Sequence, residues 1–222
     1  VNTVIMLLII IGGIGFLTWN DICKHRLHFS RYRMQSKVIL ATSAALILLP
    51  AVLLYFTDYA SLPVGERVLA SLFQSVTPRT AGYNTTDLTA MTETSRAVTV
   101  FLMLIGGAPG STAGGMKTTT VAVLLANAFS VFRHRDHAHF FGRRVPEETV
   151  RSAATILTMY LCLFVLGALI ISRVENLPLL TCLFETGSAI GTVGLTLGIT
   201  TTLGHLSRTI LVFLRYIGMY TI

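Results

Sequence analysis

Charge is scarce in this sequence. Of its 222 residues only 12% are Asp, Glu, Lys or Arg, and ten are acidic. A water-soluble domain carries roughly a quarter charged residues to cover its surface, so half that share excludes an ordinary soluble, a disordered or a collagen-like chain. Cysteine is scarce too. Cys23, Cys162 and Cys182 stand far apart with no CxxC or metal-ligand spacing, which excludes a disulfide framework and leaves the redox compartment unmarked. No basic head or small-residue cleavage site opens the chain, so no secretory signal is read. Nor does it open on Met, and it reads as a piece of something longer. What fills it is apolar: 53% hydrophobic residues and a mean hydropathy of +0.70. That composition suits a bilayer.

Five apolar stretches are predicted to span: Val1–Trp19, Val38–Thr57, Arg96–Phe132, Ser152–Ser172 and Ser207–Ile222. Runs of this kind read as transmembrane helices because a helix satisfies its own backbone in lipid. Two connections are basic. Residues 21–37 hold Lys24, Arg26, Arg31, Arg33 and Lys37, and residues 133–151 hold Arg133, Arg135, Arg143, Arg144 and Arg151, so these two sum to +6 after Asp21, Asp136, Glu147 and Glu148. The connections 58–96 and 173–208 sum to −1. Lys and Arg accumulate on the cytoplasmic side. The basic connections are therefore placed in the cytoplasm and the others outside, in a multi-pass protein of the cytoplasmic membrane. The net charge of +7 then needs no nucleic-acid partner.

The outer connections hold Glu66–Thr77 and Leu177–Ser188, apolar but too short to span, each followed by a Gly- and Thr-rich segment. A short helix with irregular backbone at membrane depth reads as a re-entrant pore loop. The pattern repeats at an offset of about 112 residues: Arg96–Gly106 aligns with Arg208–Gly218, and Thr80–Gly82 with Thr192–Gly194. Leu72–Ser75 matches Leu183–Thr186 with one residue of slippage, and Ile11–Gly13 echoes Ile105–Gly107. The fold class is thus an all-α membrane protein of helix–pore loop–helix units. Residues 1–20 are the last helix of a preceding unit, 38–132 the third unit and 152–222 the fourth, with 21–37 and 133–151 as cytoplasmic loops. Parallel repeats imply pseudosymmetry about the membrane normal.

A pore loop uses backbone carbonyls to replace the water around an ion, and glycine where a Cβ would forbid the conformation. Gly82 and Gly194 fit that place, with hydroxyl support from Thr80 and Thr192. The negative ends of the preceding helices favour a cation. The third span has 37 residues, about 55 Å as one helix at the usual rise, too long for one crossing. Its middle, Gly106–Gly115, holds five glycines and a proline, which will not keep a helix. A break is expected there, then a second helix from Lys117 to Phe132, with the break able to block the ion path. A charge within a span is costly. Lys117 either braces the break by donating to freed carbonyls or snorkels to the interface. Arg215 poses the same choice, and in the pore region would be an electrostatic barrier. Gly110–Thr118 imitates a phosphate loop but lacks the preceding strand and the glycine before Lys117. His134, His137 and His139 read as solvated loop rather than metal ligands, and Asn84–Thr86 is a chance glycosylation pattern.

Val76–Asp87, Ile105–Thr118 and Ile11–Phe16 together resemble the Trk/Ktr/HKT superfamily of potassium transporters, in particular membrane subunits of the KtrB and TrkH type. The resemblance covers the chain but only the C-terminal half of the family's architecture, which has four units arranged with pseudo-fourfold symmetry. It implies a K+ filter lined by Thr80, Ala81, Gly82 and Tyr83 and by Thr192, Val193, Gly194 and Leu195. It implies an intramembrane gate built of Gly106, Gly107, Gly110, Ser111, Thr112, Ala113, Gly114 and Gly115, with Lys117. It also implies a homodimer, K+ as the transported ion with no bound organic cofactor, and a cytosolic ring of nucleotide-binding regulatory subunits of the KtrA/TrkA type facing the basic loops. The family places an arginine just after the glycine of its last helix. Here Met219 follows Gly218, so either Arg215 takes that place or this end is atypical. The expected function is potassium uptake. The alternatives are a sodium or mixed K+/Na+ transporter and a broken-helix carrier of organic solutes, which would need polar side chains at the breaks. No span contains His, and Asp58, Glu66, Asp87, Glu93 and Glu185 all lie on the outer connections, so no enzyme is expected.

Overall fold

In the computed structural model, residues 1–26, 28–134 and 137–220 are described; Arg135 and Asp136 of the second basic loop lie outside the described residues. The first predicted span is not one helix. α1 (Asn2–Gly13) and α2 (Phe16–His25) meet at a 97° bend. Gly15 makes the corner with φ +85°, a conformation open to glycine, and the Trp19 indole N–H donates to Ile11 O at 2.9 Å, satisfying a carbonyl at the end of α1.

The first of the two repeats comprises α3 (Met34–Thr57), α4 (Val64–Val76), α5 (Glu93–Leu104) and α6 (Thr118–Phe132). The second comprises α7 (Glu147–Glu175), α8 (Leu179–Ile190) and α9 (His205–Tyr220). Between them β1 (His139–Phe140) pairs antiparallel with β2 (Arg143–Arg144), so the second basic loop holds a small hairpin and the fold is not strictly all-α. The predicted break in the long third stretch is present, and α6 starts one residue after Lys117. Among the described residues, α3 and α7 are single helices long and apolar enough to cross a membrane, with the bent α1–α2 pair as a third candidate.

Proline sets three of the helix starts. Pro63, Pro146 and Pro178 stand at the N-caps of α4, α7 and α8 with φ between −56° and −60°. The ring fixes that angle and lacks an N–H that the start would leave unpaired.

The two pore-type helices are packed alike. α4 lies against α3 and α1, and α8 lies against α7, α5 and also α9. Each therefore rests on the long helix just before it and on a helix from earlier in the chain. Leu54, Met103, Phe164, Phe184, Ile190 and Leu214 join these elements in the main core, while Met6, Phe73 and Val76 join α1 to α4. Large side chains such as Leu49, Phe56, Leu166 and Phe132 point outward, as lipid-facing residues do.

The repeat extends to the helix junctions. Asp58, just past α3, accepts from the Thr92 N–H at 2.7 Å and from the Ser95 hydroxyl. Glu175, ending α7, accepts from the Gly204 N–H at 2.9 Å and the Ser207 hydroxyl at 2.5 Å. Arg96 donates to Thr89 O and Arg208 to Thr201 O. In both units a carboxylate at or just past the end of the long first helix accepts from an orphan N–H that opens the helix after the bend, α5 or α9.

Candidate functional site

Both Gly-centred bends follow directly from a short helix, α4 or α8. Their backbones match in the repeat's register: Thr80 and Thr192 have φ +59° and +54°, and Gly82 and Gly194 have φ +70° and +95°. A left-handed threonine is strained, and such strain persists only where its surroundings enforce it. The enforcement is visible. The N–H groups of Ala81 and Gly82 both donate to Thr77 O, and the Val193 N–H donates to Ser188 O. The Thr77 hydroxyl donates to Tyr83 O at 2.5 Å, and the Ser188 hydroxyl accepts from the Gly194 N–H at 3.1 Å.

The two bends come together. A Cβ built on Gly82 would overlap Val193 O and stand 3.2 Å from the Gly194 Cα. Glycine is required there on two counts, its positive φ and the approach of the other bend. At Gly194 only the φ requires it, because the nearest atom to its Cβ position is 4.0 Å away. Val193 and Leu195 are buried, Tyr83 is exposed, and Thr80, Ala81 and Gly82 are half-buried.

The segment 106–115 is a folded loop. The Gly106 N–H donates to Met116 O at 2.8 Å and the Thr118 N–H to Gly107 O at 3.0 Å, closing its mouth. Gly110 and Gly115 adopt φ +68° and +71°. Lys117 is 8% exposed and donates through Nζ to Ala113 O at 2.7 Å. Of its two readings, bracing is the one the structure displays.

Three other segments hold this loop. The Ala108 N–H donates to Gly13 O at 2.9 Å and the Phe16 N–H to Gly110 O at 3.2 Å. The Gly115 N–H donates to Gly218 O at 3.3 Å. The Thr192 side chain fills the space where a Cβ on Gly114 would stand. Thr112 and Ala113 line a cavity of about 290 Å³ together with Thr80, Ala81, Tyr83 and Arg79. The loop thus packs against the second bend and shares a cavity with the first. Ser111 supports it internally, accepting from the Ala113 N–H at 3.3 Å.

Arg215 is exposed and lines a cavity of about 650 Å³ shared with Thr192, Gly194, Ser188 and Glu185. Met219 is exposed and Gly218 packs against Ile190 O. Among the described residues no group of three or more His, Cys, Asp or Glu could hold a metal ion.

Several residues were not singled out from sequence. Glu185, 4% exposed, accepts from the Thr196 hydroxyl at 2.6 Å, the Leu197 N–H at 2.9 Å and the Thr200 hydroxyl at 2.7 Å. It clamps the segment that follows the second bend. Arg79, buried beside the first bend, donates to Ser43 at 3.2 Å. The one signal in the sequence was register: Glu185 matches Gln74 across the repeat.

Comparison with known proteins agrees with this architecture. The family model "TrkH: Cation transport protein" matches residues 1–222. The chain is 38% identical to Potassium/sodium uptake protein NtpJ of Enterococcus hirae, over 97% of this chain and 49% of that one. It is 34% identical to Ktr system potassium uptake protein B of Bacillus subtilis, over 98% of this chain and 50% of the relative. The chain therefore spans about half the length of the curated relatives it matches. Its fold is similar to the crystal structure of the potassium transporter TrkH from Vibrio parahaemolyticus, with a TM-score of 0.79 and 19% identity over 99% of this chain and 50% of that one. Matched along its whole length, the chain belongs to the TrkH family of cation transport proteins, which are Trk/Ktr-type membrane transporters and not enzymes.

Proposed function

We propose that this chain forms half of a potassium uptake pathway across the cytoplasmic membrane. In this reading the carbonyls of Thr80, Ala81, Gly82 and Tyr83 and of Thr192, Val193, Gly194 and Leu195 belong to a selectivity filter. Loop 106–115, braced by Lys117, is its gate. The observation that carries the reading is the convergence of two repeated bends, each at the negative end of a helix, on a shared point with glycine demanded by the contact. Main-chain oxygens there can replace the water around a bare cation. Arg215, on the cavity wall near Thr192 and Gly194, supplies positive charge that repels a cation and so sets a barrier. The remaining half of the length seen in relatives supplies the other units, in domains bounded as the repeat suggests. The assembly is a homodimer whose basic loops 21–37 and 133–151 face cytosolic nucleotide-binding subunits; the word "system" in the Ktr relatives' names fits further components without naming them. A mixed K+/Na+ pathway is the second reading, favoured by the name of the Enterococcus relative.

The filter is tested in the full-length transporter by Gly82→Ser and Gly194→Ala. K+/Na+ preference in uptake should fall on the order of tenfold or more for Gly82→Ser, where the added atoms meet Val193 O. Unchanged preference in both variants would remove the filter assignment. The gate is tested by deleting residues 109–114, which should raise flux; a rate equal to the parent's would rule the gate out.

A further inference from the structure

α2 leaves α1 at 97°, so if α1 lies along a membrane span α2 runs along the membrane surface. The basic residues that follow mark that surface as the cytoplasmic one. Thr18 and Asp21 of α2 are buried, whereas Phe16, Leu17, Asn20, Cys23 and Lys24 are exposed. The exposed face is apolar at the corner, where Phe16 is 74% exposed, and basic at the far end, where Arg26 continues it. Apolar groups beside the span and cations beyond them match the boundary between acyl chains and anionic headgroups.

The corner from which α2 starts is tied to loop 106–115. The Phe16 N–H reaches Gly110 O, the Gly13 carbonyl receives the Ala108 N–H, and the Thr112 hydroxyl lies 3.5 Å from Gly12 O. A Cβ on Gly15 would stand 2.6 Å from Pro109 O, so corner and loop are in backbone contact. At its other end the buried Asp21 accepts from the Ser36 hydroxyl at 2.7 Å and the Arg33 N–H at 3.1 Å, which fixes α2 to the start of α3. A shift of α2 therefore pulls on the loop.

We propose that α2, with Lys24 and Arg26, is seated in the anionic inner-leaflet surface, leaving the rest of loop 21–37 to the cytosolic subunits, and that this seating sets the position of loop 106–115 through the corner at Gly13–Gly15. The inference rests on the gating role proposed above. A lipid surface is favoured over a soluble protein because Phe16 and Leu17 extend the apolar face of α1 into the interface.

The test uses the full-length transporter in phosphatidylcholine liposomes with and without phosphatidylglycerol. An environment-sensitive label on Cys23, with Cys162 replaced by Ser, should be quenched by brominated lipid more strongly when phosphatidylglycerol is present. Rb+ uptake should change with phosphatidylglycerol content, and Lys24→Gln with Arg26→Gln should weaken that dependence on the order of tenfold, as expected for two surface charges. The 109–114 deletion should transport fast in both lipids. Lipid-independent quenching overturns the proposal. So does lipid-independent uptake by the parent when the deletion still raises flux, and that result leaves the gate standing. If the deletion raises no flux, the gate itself falls and the coupling with it. Loss of binding to a cytosolic nucleotide-binding subunit in the double variant, with lipid dependence intact, gives the α2 face to a soluble partner and also overturns the proposal.

Discussion

Lys117 shows how a single residue can be read halfway from sequence. An ammonium in an apolar stretch has to find acceptors or water, and the sequence left both routes open. The fold chooses acceptors: Nζ bonds Ala113 O, four residues back across the loop. Lys117→Met keeps the apolar stem and removes the bond, leaving a buried carbonyl unpaired at a cost of about 1–3 kcal/mol. Faster hydrogen exchange over residues 109–115 and a raised basal flux are expected. Exchange matching the parent's would show that the loop holds its shape without the brace. Gly82 and Gly194 differ in a way their equal place in the repeat conceals. Both need a positive φ, but only Gly82 is pressed against the other bend. Glu185 was passed over because an acidic residue on an outer connection looks solvated. Its three hydrogen bonds run to residues 196–200, which periodicity does not relate to it.

Among the elements, the helix junctions carry the clearest pH dependence. Burial alone would raise the Asp58 carboxyl, but hydrogen bonds from Ser95, Thr92 and Thr57 outweigh it and hold the group below its ordinary 3.8. A carboxylate depressed in the folded state stabilises at pH values above its unfolded value, and that contribution disappears as pH falls through the folded one. The α3–α5 junction should thus be unaffected between neutral pH and about 4, and loosen below that. Asp58→Asn should lower the melting temperature at pH 7 by an amount equivalent to about 1 kcal/mol and flatten the acid limb of the profile. A parent-like acid limb in the variant would assign the loss to other carboxylates. The junctions were partly legible, since Arg96 and Arg208 stand in register, but the partner carboxylates do not: Asp58 and Glu175 are 117 residues apart, five beyond the repeat. The bend between α1 and α2 was not legible at all. Glycines in an apolar run are compatible with a continuous helix. Here the corner is fixed by Ala108 and Gly110, about a hundred residues away.

As a whole molecule, the chain presents much large apolar surface and an arrangement of two bends that face each other across one contact. Leu49, Phe56, Val212 and Tyr220 are all more than half exposed. Two bends cannot surround an ion, and the relatives run to about twice this length. Residues 1–222 expressed alone and reconstituted should therefore give no K+-selective flux above empty liposomes, whereas the full-length protein should. Selective flux from the half alone would mean that copies of it assemble into a complete pathway.

Hydropathy and repetition by themselves determined that this is a helical membrane protein, where the short helices and bends lie, and that the long third stretch must break, because each of these is a local demand of backbone, bilayer or glycine. Tertiary structure decided what those parts meet: that the bends converge, that Thr192 backs onto Gly114, that Lys117 turns inward, and that the first stretch folds at a right angle. Those outcomes depend on backbone hydrogen bonds and close approaches between segments far apart in the chain, and no local pattern of residues records them.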